Sequence, residues 1–303
     1  MTRETLGGFV PAIVTPFSED GTILEDAFLA IVDHMIDCGA RGICVAGDNG
    51  ESWALDGGER ERLTRIAVDR SAGRAPVMMG ATAPSARQTI AYAQIARDAG
   101  AEAVLVMPQT YVMKATRDEL LRRFEALAAS VDIPIVAYNS PRRAVIDLSV
   151  DDIEALLDVA PIIGIKESSR DFFKHSHLLN RLKHRLAVMV GPSHYILPGI
   201  ALGAAGFIAT GPELLGREAG AIMEIGRGAP DAAYEQLHHR LTVIYQTLMG
   251  TGTWPSSLKA ALSMIGLPAG FPREPILPLG EQEAAKLRAT LGALDLLPDQ
   301  ERR

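Results

Sequence analysis

Eight short apolar runs recur along the chain, each followed by a helical pattern, at a spacing of roughly 28 residues. The runs fall at 9–14, 42–46, 76–80, 103–107, 134–138, 161–165, 186–190 and 206–209. Each is apolar throughout rather than alternating, as expected of strands buried on both faces of a parallel sheet. Ala27, Phe28, Ile31, Val32 and Met35 follow the first run at helical spacing. Thr116 with Glu119 makes a capping box for a helix after the fourth, and Ser149 caps the helix after the fifth. Eight strand–helix units predict an α/β chain, a closed (β/α)8 TIM barrel. A doubly wound sheet also alternates, but it favours a Gly-x-Gly-x-x-Gly turn after its first strand. Here that turn runs from Thr15 through Pro16 and Phe17 to Gly21 without one.

The alternation stops near residue 226. Three helices are expected at 232–249, 255–265 and 280–294, set apart by Gly and Pro breaks. The chain thus divides into a barrel over 1–226 and a small three-helix domain over 227–303. Residues 267–279 hold four prolines and read as an irregular surface loop.

With 303 residues, 48% of them hydrophobic, the chain can bury a large core. Its net charge is −7 and it has no basic cluster, so neither nucleic acid nor an anionic membrane is an expected partner. Cys38 and Cys44 lack metal-ligand spacing and are too few for a disulfide framework. No apolar run approaches a membrane span and the N-terminus lacks a signal-peptide core. The expected setting is the cytoplasm.

Reacting groups in such barrels sit at the C-terminal ends of the strands and in the loops that follow. The sixth run leads straight into Lys166, the one lysine of six that directly continues an apolar strand. Desolvation there favours the neutral amine that Schiff-base formation needs, whereas an edge lysine would snorkel to water. Tyr138 ends the neighbouring fifth run and can carry protons to and from an imine carbon; the alternative is a rim tyrosine bonded to backbone. The loop from Gly47 to Glu51 can offer backbone N–H groups and the Asn49 amide to a carboxylate, with Glu51 read as a structural cap in preference to a catalytic acid. Arg143 suits a clamp on a second anionic group, or equally an ion pair across a subunit contact. Of the seven histidines only His194 falls on the rim, and each favours a solvated or satisfied role. No His-x-His ends the first run, so neither a metal nor another cofactor is expected.

Several motifs stand in the order and spacing of one family. They are Thr15-Pro16-Phe17, the Gly-x-x-Gly-Glu loop at 47–51, Tyr138-Asn139-x-Pro141-x-Arg143, Gly164-Ile165-Lys166-Glu167, and the tail from Pro255 to Leu262. Over its whole length the chain resembles the dihydrodipicolinate synthase / N-acetylneuraminate lyase group of class I aldolases and lyases. The resemblance implies a barrel with C-terminal helices, commonly a homotetramer, and an imine between Lys166 and pyruvate or a longer 2-oxo acid. It implies Tyr138 as proton shuttle, Asp48 and Asn49 at the substrate carboxylate, and Ile208 as the apolar neighbour of the lysine. Tyr111 matches the tyrosine that crosses into a neighbouring subunit's site. The family's usual Ser/Thr pair is replaced by Asp48-Asn49, Val145 stands at a common glycine, and Ser193 at a common acid. These departures point to a catabolic or specialised lyase performing aldol cleavage, dehydration or deamination of a sugar-acid-like substrate. The alternatives are the lysine-biosynthetic synthase itself, a phosphate-binding barrel using 191–193 and 203–206, and a non-catalytic small-molecule-binding paralogue.

Overall fold

The computed structural model describes residues 1–298; the end of the expected helical domain, 299–303, lies outside the described residues. The strands are β1 (Gly8–Phe9), β2 (Ile43–Val45), β3 (Val77–Gly80), β4 (Ala103–Val106), β5 (Ile135–Asn139), β6 (Ile162–Glu167), β7 (Ala187–Val190) and β8 (Gly206–Phe207). All pair in parallel in the order β1-β8-β7-β6-β5-β4-β3-β2. The chain running on from β1 closes the ring. The Cys44 amide donates to Pro11, the Ile13 amide donates to Cys44, and Ala12 bridges Cys44. Closure leaves no sheet edge, and burial on both faces accounts for the apolar runs that form the strands.

Alternate residues sort to the two sides of this wall. Leu105, Val136, Tyr138 and Met189 meet Cys44, Met78 and Ile208 in a cluster inside the barrel. Their neighbours Val104, Ile135, Ala137, Ile165 and Val188 belong to the larger shell between strands and helices. In β6 the phase is set by an irregularity, since Ile135 pairs with Ile162 but Val136 pairs with Gly164. One extra residue in β6 thus turns Gly164 and Lys166 to the same side as Val136 and Tyr138; a one-residue slip would have exchanged the faces. Gly164 is required beneath the lysine. A Cβ there would stand 2.5 Å from Leu6 and 2.7 Å from the Ala187 carbonyl oxygen.

The helical expectations hold closely. Glu25–Asp37 buries Phe28, Ile31, Val32 and Met35, and capping boxes form at Thr116/Glu119 and at Ser149/Asp152. The C-terminal helices are Ala232–Gly250, Ser256–Met264 and Glu281–Ala293.

The proline-rich segment is the irregular surface loop expected, and it is docked on the barrel. Phe271 donates its N–H to the Phe17 carbonyl (2.8 Å), and Ala269 is fully buried. Two cations lie against the Phe17 ring, with Lys259 Nζ 4.5 Å and the Arg273 guanidinium 4.2 Å from its centre. Glu51 accepts from the Arg273 N–H (2.8 Å) and pairs with Lys259 Nζ (2.5 Å). Arg273 also holds both oxygens of Glu59, the capping-box acid of helix Gly57–Ser71. The C-terminal segment thereby fixes the loop after β2. Such contacts between distant parts of the chain have no local signature, so composition gave the surface loop but not its partners.

Candidate active site

The β5–β6 register sets Tyr138 beside Lys166. Each is 5% exposed, and Lys166 Nζ stands 4.4 Å from the centre of the Tyr138 ring. Among the described residues the lysines that form ion pairs are Lys174 and Lys259; Lys166 forms none. A primary amine inside the barrel mouth, with a phenol against it and no counter-ion, can add to a carbonyl and exchange protons with its neighbour. Glu167, of the opposite phase, faces the shell. It accepts from the Asn139 amide (2.9 Å) and the Ser169 N–H (2.6 Å), and burial raises its pKa.

The two side chains open into a cavity of about 270 Å³. Asp48, Asn49, Arg143 and Ile208 line it with them, as the sequence suggested. Tyr111 does not: it is 91% exposed, in a left-handed conformation at φ 70°. His194 lies behind the wall, its ring 5.1 Å from that of Tyr245.

The loop after β2 differs in detail from the sequence expectation. Asn49 spends its amide on the scaffold, donating to the Ala12 carbonyl (2.9 Å) and accepting from the Thr210 hydroxyl (3.3 Å). The Asp48 and Asn49 backbone N–H groups donate to no acceptor among the described residues, so the backbone is what this loop offers to an anion. Asp48 accepts from Arg143 Nε at 3.0 Å. Within its own chain Arg143 thus has an acidic partner, while its guanidinium stays in the cavity lining. Glu51 has a structural place, though its side chain caps no helix: it is fully buried in the Lys259 and Arg273 clamp.

Three groups of residues in or near the site were given no role in the sequence reading. Arg142 and Arg170 line the cavity, and the rim rule with their place after β5 and β6 could have found them. Tyr245, Met249 and Trp254 come from the C-terminal helical region, which the sequence gave no reason to connect with chemistry. Glu213, in the short turn Pro212–Leu215, is the third. Its Oε2 accepts from the Gly211 N–H (2.7 Å), and its Oε1 is buried without a partner. Burial raises this carboxyl to about 7, against the opposing pull of the Lys166 charge. His175 is likewise neither solvated nor satisfied. Both ring nitrogens are buried without partners, and burial lowers its pKa to about 4.

Glu213 carries a pH prediction. An unfolded glutamate ionises near 4.5, whereas the native one holds its proton to about 7. The native state binds the extra proton between those values, so stability from this group is full below pH 4.5 and falls as pH rises through 7. At about 1.4 kcal/mol per unit, up to about 3 kcal/mol is lost across the window. Urea denaturation at pH 5 and pH 7.5 should show this slope in the native chain and a shallower one in Glu213→Gln; equal slopes would refute it.

A closed parallel barrel with an unpaired lysine and a tyrosine on its C-terminal rim defines a Schiff-base-forming class I lyase. The sequence profile of the dihydrodipicolinate synthetase family matches residues 5–294, and the chain belongs to that family of aldolases and lyases. A 4-hydroxy-tetrahydrodipicolinate synthase of Sorangium cellulosum is 34% identical over 298 residues, covering 97% of this chain and 98% of the relative. The dihydrodipicolinate synthase structure from Aquifex aeolicus superposes with a TM-score of 0.90 at 29% identity, over 97% of this chain and all of that one. An Acinetobacter baumannii dihydrodipicolinate synthase solved with pyruvate also reaches 0.90, at 26% identity, over 96% of this chain and all of the other.

Proposed function

We propose that the chain forms an imine between Lys166 and pyruvate or a longer 2-oxo acid, and uses it in aldol cleavage or condensation, or in dehydration, of a sugar-acid-like substrate. In this reading the Lys166 amine adds to the C2 carbonyl, and the carbinolamine loses water to give the imine. The Tyr138 phenol carries the proton that leaves with that water and later serves the carbon or oxygen whose bond breaks. The substrate carboxylate lies against the Asp48 and Asn49 backbone N–H groups, with Ile208 packed beside the lysine. The Asp48–Arg143 pair faces the group beyond the imine. The observation that carries the proposal is the unpaired Lys166 amine 4.4 Å from the Tyr138 ring at the cavity.

A turnover screen of 3-deoxy-2-oxo sugar acids tests it. At least one should release pyruvate or lose water to a new 2-oxo acid. Binding of phosphosugars, with no turnover of any 2-oxo acid and no effect of pyruvate, would contradict it. Tyr138→Phe removes the proton carrier while keeping the ring against the lysine. The expected loss in kcat is about 10²–10⁴-fold, with imine trapping slowed but present. Undiminished kcat in this variant would take Tyr138 out of the chemistry.

The condensing synthase reaction is the second reading, favoured by the names of the curated relatives. Pyruvate consumption that depends on an added aldehyde would distinguish it.

The reading extends to a homo-oligomer in which Tyr111 reaches a neighbouring copy's site. Tyr111, Val112 and Met113 form an exposed apolar tip, a costly surface for a lone chain to leave in water. No helix among the described residues is long and apolar enough to cross a membrane. The free thiols of Cys38 and Cys44 suit the reducing cytoplasm.

A further inference from the structure

Arg170 occupies a backbone position that its residue type disfavours. It follows β6 at φ 65°, in the left-handed region where glycine fits freely and a long side chain is strained. Its surroundings hold it there. Nε donates to the Tyr245 hydroxyl (3.1 Å), the guanidinium lies 5.1 Å from the Tyr245 ring centre, and the carbonyl accepts from the Tyr195 hydroxyl (2.8 Å). These partners are neutral. Among the described residues no carboxylate forms an ion pair with Arg170 or with Arg142, although both line the cavity. Arg143 differs, because Asp48 already neutralises it.

The imbalance is local. The chain as a whole carries a charge of −7, yet Lys166, Arg142, Arg143 and Arg170 meet in one cavity whose one acid is Asp48. Low-dielectric walls around such a cluster raise the local concentration of anions. His194, behind Tyr245, has its pKa lowered first by burial and then by the Arg170 and His238 charges. The cavity volume of about 270 Å³ holds roughly nine water-sized groups at ~30 Å³ each, more than the six heavy atoms of pyruvate.

We infer that the site takes a 2-oxo acid bearing a second carboxylate at the end remote from its keto carbon, and that Arg170, with Arg142, reads that carboxylate. The planar guanidinium fork matches a carboxylate in two parallel hydrogen bonds, which accounts for an arginine where the backbone favours glycine. The inference rests on imine formation at Lys166. It adds a specificity-determining residue at a place distinct from Arg143.

Borohydride inactivation tests it with paired probes of equal chain length. These are 2-oxoglutarate against 2-oxopentanoate, and 2-oxoadipate against 2-oxohexanoate. In the native chain the dicarboxylic member of at least one pair should half-saturate inactivation at a concentration about tenfold lower than its partner. In Arg170→Gly, which relieves the left-handed strain, that ratio should fall to near one, and Arg142→Gln should reduce it in part. Equal half-saturation in both native pairs, or a ratio unchanged in Arg170→Gly, would overturn the inference while leaving imine formation standing. No inactivation by any oxo acid, pyruvate included, would overturn the imine reading and this one with it.

Discussion

Replacing Lys166 with alanine or arginine should lower kcat by at least ~10⁴-fold and abolish pyruvate-dependent inactivation by borohydride. Alanine removes the amine, and arginine keeps a cation whose delocalised guanidinium is no nucleophile. A substantial residual rate in either variant would mean that the amine is not a covalent participant. The stability readout separates this from misfolding. Lys166 is a buried cation that forms no ion pair among the described residues, so the scaffold gains little from its charge. Lys166→Ala should therefore unfold at a urea concentration equal to or above that of the native chain. That pattern, activity lost with stability kept or raised, marks a group retained for chemistry rather than for folding.

The second large effect is on stability, and it lies in the clamp behind the loop after β2. Burial lowers the Lys259 pKa to about 8 even though Glu51 lies 2.5 Å away and pulls the other way. Desolvation thus outweighs the attraction at Lys259, the balance commonly met in buried ion pairs. Removing one partner is a different matter, because the other is left buried and uncompensated. Glu51→Ala or Lys259→Met should each cost about 3–5 kcal/mol in urea denaturation. The double variant should recover a large part of that loss, since neither charge is then stranded. A double-variant cost equal to the sum of the two singles would show that the contact carries no coupling. Glu51 stands just beyond the Asp48 and Asn49 amides, so Glu51→Ala should also raise KM for the 2-oxo acid by loosening the loop.

The barrel was legible because its strands are buried on both sides and leave continuous apolar runs. The helix starts at Thr116 and Ser149 were legible because capping is local chemistry. Lys166 and Tyr138 were found by the same logic, each at the end of such a run. The extra residue in β6 that turns them to one face was not readable, since a register is a property of two strands. Partners separated by long stretches of chain were equally hidden. Asp48 and Arg143 are 95 positions apart, and Glu51 and the Arg273 N–H 222. The sequence therefore offered the Asn49 amide to a carboxylate and left Arg143 open between an anion clamp and a subunit contact, and it could not show that Asn49 bonds Ala12 or that Arg143 meets Asp48. Arg170 and Tyr245 meet only because a C-terminal helix lies over the barrel mouth, a placement that no periodicity encodes.

Peptide mapping of the chain after borohydride reduction in saturating pyruvate tests the account most directly. A carboxyethyl group is expected on the peptide containing Lys166, with the five other lysines unmodified. An unmodified Lys166 at saturating pyruvate, or the group on another lysine, would contradict it.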